Sequence, residues 1–281
     1  MVDDVTGSVE VDGRRIATLI TRGPPDGETA GIVWLPGYKS DMASTKATAL
    51  ADFARGRQPM TRFDYSGHGV SYGRFEDGTI GRWLDEVEAV FRRTTCGPQV
   101  IVGSSMGGYL ALLLLRRLLA AAPDEAARIR ALVLIAPAWD MTEELMWAQF
   151  GAAERAAIMT EGFWLRPSQY GEPYRITREL IDEGRSHLIG DAPFNPGRPV
   201  HILQGLADPD VPAAHTRKLL ALLVGGPDGT QDGHAGRYPG GATWVTLEEI
   251  PNGDHRLSRP EDIVRLCEVV SAAAAAQPGR A

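Results

Sequence analysis

Basic clusters, cysteines and long apolar runs are what this chain of 281 residues has least of. It carries 29 Lys and Arg against 36 Asp and Glu, a formal charge of -7, which leaves no concentrated basic face for a nucleic-acid backbone. No Lys/Arg run promises a basic pocket for an acidic substrate either. The two cysteines, Cys96 and Cys267, lack metal-ligand or CxxC spacing and read as buried structural thiols in a reducing compartment. No stretch is apolar over the length a bilayer demands, so no membrane span is expected. The opening MVDDVTGSVE has neither the basic and apolar regions of a signal peptide nor the Arg-rich character of a transit peptide, and the expected location is cytoplasmic. What is present is the composition of an ordinary soluble globular protein, 43% hydrophobic, long enough for one large α/β domain with an insertion.

Apolar runs and turn signals alternate along the chain. A hairpin is expected from Ser8–Val11 and Ile16–Thr21 through Asp12-Gly13, a strong turn pair. Strands follow at Gly31–Leu35, Pro59–Phe63, Val100–Val102, Ala131–Ile135, Pro199–Leu203 and Thr243–Ile250. Helices are expected at 43–55, 80–95, 109–119, 213–224 and 261–275. In the helix from Ile80, the residues Ile80, Leu84, Val87 and Phe91 recur at helical spacing. This rhythm predicts a mostly parallel sheet with helices on both faces. Two stretches interrupt it. Pro137–Gly190 is far longer than a strand-to-helix connection needs and contains Trp139, Met141, Met146, Trp147, Phe150, Phe163 and Trp164, so it reads as a small lid inserted between core segments 1–136 and 191–281. Gly225–Gly241 is polar and rich in glycine and reads as a mobile loop.

One short stretch carries chemistry. In Gly103-Ser104-Ser105-Met106-Gly107, between an apolar strand and a helix, the pattern is GxSxG; small residues let the chain reverse sharply and expose the middle side chain. That side chain belongs to Ser105, while Ser104 should point back into the fold. The same composition also suits a plain turn. A serine hydroxyl needs a base, and the base an orienting acid. In open parallel sheets such groups gather beyond the carboxyl ends of the strands. His201 lies inside a strand and is expected to be a core or hydrogen-bonded residue; His187 falls in the lid, His215 on a helix, His234 in the glycine-rich loop, and His68 in a turn that backbone geometry explains. His255, directly after strand TWVTLEEI, is the candidate base. In QGLADPDVP, Asp208 lies nearer the strand end and is the preferred acid, Asp210 is placed to cap the following helix, and Asp254 is a weaker third candidate. Two donors are needed for a developing oxyanion; the N–H of Met106 and, after Pro36-Gly37, the N–H of Tyr38 are the candidates.

Together LPGYKSDM, RFDYSGHG, GSSMGG, GLADPDVP and GDHRL resemble the α/β-hydrolase superfamily, and within it the group of the mitochondrial palmitoyl-protein thioesterase and mycophenolic acid acyl-glucuronide esterase. The resemblance runs from about Gly31 to the last helix. It implies the α/β-hydrolase fold, no cofactor or metal, and a nucleophile, acid and base at Ser105, Asp208 and His255. The glycine-rich loop has no counterpart in that group, and no mitochondrial leader is visible. The expected activity is a serine hydrolase of acyl esters or thioesters on a small-molecule or acylated substrate, with a peptidase or C–C bond hydrolase as the alternative and a non-catalytic binding member as the third. Met146, Trp147 and Phe150, at near-helical spacing, are the expected acyl-binding residues of the lid.

Overall fold

The computed structural model describes residues 4–24, 28–167, 172–225, 230–231, 234–237 and 244–276. Its strands are β1 (Val5–Val11), β2 (Arg14–Thr21), β3 (Gly31–Leu35), β4 (Met60–Phe63), β5 (Gln99–Ser104), β6 (Ile129–Ile135), β7 (Phe163–Arg166), β8 (Tyr174–Thr177), β9 (Val200–Gly205), β10 (Thr230–Gln231), β11 (Ala235–Arg237) and β12 (Trp244–Ile250). The α-helices are α1 (Thr45–Ala54), α2 (Ile80–Thr94), α3 (Met106–Ala121), α4 (Pro123–Ala127), α5 (Ala152–Glu161), α6 (Arg178–Gly184), α7 (Ala213–Leu223) and α8 (Pro260–Ala275).

Ten strands form one sheet in the order β1-β2-β4-β3-β5-β6-β9-β12-β11-β10, parallel from β4 through β12 and antiparallel at both ends. The central strands are apolar because both of their faces are covered. In β5, Ile101 faces the core built with α2, α3 and α7, whereas Val100 and Val102 face the smaller core built with α1 and α8. Ile80, Leu84, Val87 and Phe91 of α2 are all buried, as their spacing requires. Thr79 starts that helix by accepting the N–H of Arg82. Among the described residues no helix is long and apolar enough to cross a membrane.

Residues 137–190 follow β6 and include α5, the hairpin β7–β8 and α6. The two ends of this segment are clipped together by Asp140, whose carboxylate accepts the N–H groups of Ile189 (2.7 Å) and Gly190 (2.9 Å). It is seated on the sheet's helices by Glu183, which accepts the Gly81 N–H in the first turn of α2, and by the Tyr109 hydroxyl and the Arg116 guanidinium, which donate to the His187 carbonyl. A carboxylate at a helix N-terminus also complements the helix dipole.

Three expectations need correcting. The glycine-rich stretch is not wholly loop: β10 and β11 lie within it, and β11 pairs antiparallel with the start of β12, Ala235 opposite Thr246 and Arg237 opposite Trp244. The rest of the stretch, 226–229, 232–233 and 238–241, lies outside the described residues. Cys96 is exposed, and only Cys267 is buried. Met146, Trp147 and Phe150 do not share one α-helix, because Met141–Met146 forms a π-helical turn and Trp147–Gln149 a 3-10 turn.

Deleting 227–242 should leave turnover near the wild-type value, since β11 joins the amino end of β12 while the loop carrying His255 leaves its carboxyl end. The expected cost is self-association, because β12 would become an unprotected edge. Turnover and size-exclusion measurements on the deletion check this; a monomeric, folded variant with little activity would refute it.

Candidate active site

The site begins at a backbone strain. Ser105 sits at φ 54°, ψ -117°, a region that residues other than glycine rarely occupy and that costs on the order of 1–3 kcal/mol. The surroundings hold it there: its N–H donates to the Ile135 carbonyl (2.8 Å), and its carbonyl accepts from Gly108 (2.9 Å) and Ala138 (3.1 Å). The flanking glycines are required by close approach. A Cβ on Gly103 would collide with the Gly107 carbonyl oxygen, and one on Gly107 with the carbonyl oxygen of Leu35. Although Ser105 is the N-cap of α3, its side chain makes no capping bond. Its hydroxyl instead lies 3.0 Å from His255 Nε2. Ser104 is buried, as expected of the x position.

His255 Nδ1 lies 2.8 Å from Asp208 Oδ2. The Asp208 side chain is fully buried and that of His255 is 22% exposed. Residues 105, 208 and 255, far apart in sequence, thus form one hydrogen-bonded line. Two loops are pressed together to make it: a Cβ on Gly205 would strike the Gly253 carbonyl, and the Ala207 N–H donates to that same oxygen (2.8 Å).

The neighbouring acids have other work. Asp254 accepts the N–H groups of Arg256 and Leu257, building the turn that carries His255. Asp210 is exposed and does not cap α7, whose N-cap is Pro212 without a side-chain bond. The expected cap is therefore corrected: no side chain caps α7, and in the turn before it Asp208 Oδ1 accepts the N–H groups of Asp210 (2.8 Å) and Val211 (2.9 Å). One carboxylate both organises its own turn and faces the imidazole. Gln204, at the end of β9, was not singled out by sequence. Fully buried, it donates to the Val211 carbonyl (2.9 Å), reaches Asp208 Oδ2 at 3.4 Å and accepts from the Thr216 hydroxyl (2.6 Å). Its only signal was a buried amide at a strand's carboxyl end.

Of the candidate oxyanion donors, Met106 follows Ser105 directly and Tyr38 follows Gly37, which lies against Ser105. Met106 opens α3, so its N–H is one that a helix leaves without an intrahelical partner. Gly37 lies against the serine, where a Cβ would stand 3.3 Å from Ser105 Cβ. The Tyr38 ring packs on Phe75 (4.9 Å between centroids), Trp83 (5.9 Å) and Tyr174 of β8 (6.0 Å). Burial raises the pKa of both phenols, with Arg166 opposing the shift in each case. Tyr174 is also close enough to Asp210 to feel its charge. The β7–β8 hairpin therefore reaches from the Tyr38 loop towards the loop of Asp208 and Asp210.

Tyr174 and Arg166 were not foreseen as lid contacts to the site. Of the three that were, Met146 is buried in the main core, Phe150 packs on Trp164 (5.1 Å), and Trp147 has the guanidiniums of Arg155 (5.3 Å) and Arg185 (5.2 Å) over its ring. His201 bonds Thr246 (2.9 Å), matching its expected role. Among the described residues, the one cluster of donor atoms suited to a cation is Asp208, Asp210 and His255, within 4.8 Å of one another. A cation there would have to break the Asp208–His255 bond.

Comparison with known proteins follows the same lines. The sequence pattern of the alpha/beta hydrolase family matches residues 32–266. The palmitoyl-protein thioesterase ABHD10, mitochondrial, of Bos taurus is 36% identical over 242 residues, which is 84% of this chain and 70% of that protein. A putative hydrolase from Agrobacterium vitis S4 superposes with a TM-score of 0.84 at 39% identity, covering 98% of this chain and 99% of the other. The alpha/beta hydrolase domain-containing protein 10 from mouse gives 0.76 at 28% identity, covering 95% and 97%. A mostly parallel sheet, a strained strand-to-helix serine and a matched pattern over most of the sequence lead to one assignment: this chain belongs to the alpha/beta hydrolase family.

Proposed function

We propose that this hydrolase cleaves acyl esters and acyl thioesters through an acyl-enzyme on Ser105. The observation that carries the reading is the line from Ser105 Oγ to His255 Nε2 (3.0 Å) and from His255 Nδ1 to Asp208 Oδ2 (2.8 Å). His255 takes the serine proton as Oγ attacks the acyl carbon, and Asp208 keeps the imidazole in the tautomer whose Nε2 is free to accept it. The tetrahedral oxygen gathers negative charge between the N–H groups of Met106 and Tyr38. His255 then returns the proton to the leaving oxygen or sulfur. Water, activated by the same imidazole, releases the acid. The Bos taurus relative, named a palmitoyl-protein thioesterase, favours the thioester branch.

Acyl recognition falls to the segment 137–190. Tyr174 is its best placed side chain, resting on Tyr38 and Phe75 beside the serine loop. Each buried methylene contributes up to about 0.8 kcal/mol, roughly fourfold in kcat/KM. In a panel of acyl thioesters and matched oxygen esters of rising length, kcat/KM should climb until the cavity ends. Tyr174→Ala should flatten the climb more than Trp147→Ala. Equal rates at every length in all three proteins would reject an acyl-binding cap, and preferential cleavage of amides would move the reading to a peptidase.

A further inference from the structure

The motif RFDYSGHG contributes nothing to the hydrogen-bonded line of Ser105, His255 and Asp208, yet four of its side chains grip one loop; Arg62 donates to the Met42 carbonyl (3.2 Å). The Tyr65 hydroxyl donates to the Pro36 carbonyl (3.2 Å), His68 Nε2 accepts the Lys39 N–H (3.2 Å), and Asp64 Oδ1 accepts the Met42 N–H (2.7 Å). The loop so held, LPGYKSDM, is the one that presents Tyr38 beside Ser105. Lys39, the residue after Tyr38, sits at φ 58° and needs an anchor to stay there.

His68 is bonded at both nitrogens, and its partners leave it no choice of tautomer. The Lys39 N–H can only donate, so Nε2 must be unprotonated; the Ser66 carbonyl, 3.2 Å from Nδ1, can only accept, so Nδ1 must carry the hydrogen. The ring is buried between Tyr65, Phe75 and Trp83, with centroids 5.2–5.4 Å apart. Its charged neighbours are Lys39 and Asp41 on the gripped loop; Glu86 of α2 bonds the Ser66 N–H. Burial lowers the imidazole pKa to about 4, consistent with a neutral ring. The glycines on either side suit the tight turn that carries it: Gly67 and Gly69 both have positive φ, a Cβ on Gly67 would collide with the Arg74–Phe75 backbone, and one on Gly69 with the Asp64 carboxylate.

We infer that His68 is a positioning residue of the reaction: as a neutral imidazole with hydrogen on Nδ1, it fixes the Lys39 amide and thereby aims the preceding Tyr38 N–H at the oxyanion. The inference rests on the reading of Ser105 as nucleophile and of the Tyr38 N–H as an oxyanion donor. A misaimed donor weakens the transition state more than the bound ester, because the charge it meets develops only on attack.

Two measurements test it. In protein labelled with 15N-histidine at pH 7, long-range proton–nitrogen correlation should show His68 with Nδ1 protonated and Nε2 bare; a ring bearing hydrogen on Nε2 overturns the anchor. In ester turnover, His68→Phe, which keeps the ring but removes the acceptor, should lower kcat by roughly 10- to 100-fold with KM nearly unchanged. His68→Gln, whose amide oxygen can stand in for Nε2, should recover most of that loss. Equal losses in the two variants, a change confined to KM, or no change in His68→Phe would each overturn the positioning role. Should His68→Phe fail to fold, His68→Gln with near wild-type kcat supports the role, and a Gln variant that folds but turns over as slowly as expected for Phe rejects it. Wild-type protein inactive on every ester and thioester would instead sink the hydrolase reading, while the nitrogen spectrum would still decide the anchor.

Discussion

Ser105→Ala is expected to abolish labelling by an alkyl phosphonate probe and to lower ester turnover by roughly a millionfold, the scale on which loss of a serine nucleophile acts. The fold should survive, because the Ser105 side chain makes no capping bond and its backbone is held by amide and carbonyl partners that alanine retains. The positive φ remains a strain for alanine, as it is for serine. Ser104→Ala is the control: its side chain is buried behind the elbow, and the variant should label like the wild type. Mass spectrometry of the labelled peptide separates the two. A label on Ser104, or undiminished turnover in Ser105→Ala, would remove the acyl-enzyme from the proposed mechanism.

Asp208→Asn should lower kcat by three to four orders of magnitude, about the scale of losing the orienting carboxylate in a serine triad. The geometry says how. Asparagine can keep Oδ1 on the Asp210 and Val211 N–H groups, so the turn persists. Its Nδ2 then faces His255 Nδ1 where Oδ2 stood, and an amide hydrogen can bond only an unprotonated ring nitrogen. The hydrogen moves to Nε2, which points at Ser105 Oγ and can no longer accept its proton. Asp210→Asn, on an exposed carboxylate that caps no helix, should change turnover only a few-fold. The pair is decided by steady-state kinetics with thermal unfolding as a control. A severe Asp210→Asn beside a mild Asp208→Asn would reverse the assignment of the acid.

Local signals were enough for the succession of strands and helices and for the elbow. Period and turn chemistry act over a few residues, and GxSxG names a turn that its glycines permit. Chain order then limited the base to a residue after the last strand. Sequence alone could rank Asp208 and Asp210 but not separate their roles. They are two residues apart in one turn, and what distinguishes them is which carboxylate meets an imidazole 47 residues further on.

The cap and the glycine-rich stretch show the same division. The aromatic content of 137–190 was plain, but near-helical spacing suggested a shared face for Met146, Trp147 and Phe150 that π and 3-10 turns do not provide. Tyr174, in a four-residue strand with no strong periodicity, reaches the Tyr38 loop only because the β7–β8 hairpin folds back over it. A glycine-rich run looks like loop until a neighbouring strand edge supplies hydrogen-bond partners, as β12 does for β11. The βα order, the place of the serine turn and the eligible base could be read from local pattern and chain order, which need no knowledge of distant contacts. Which acid faces His255, which cap residue reaches the Tyr38 loop, and that His68 holds that loop could be read from the fold alone, because each is a contact between segments far apart in the chain.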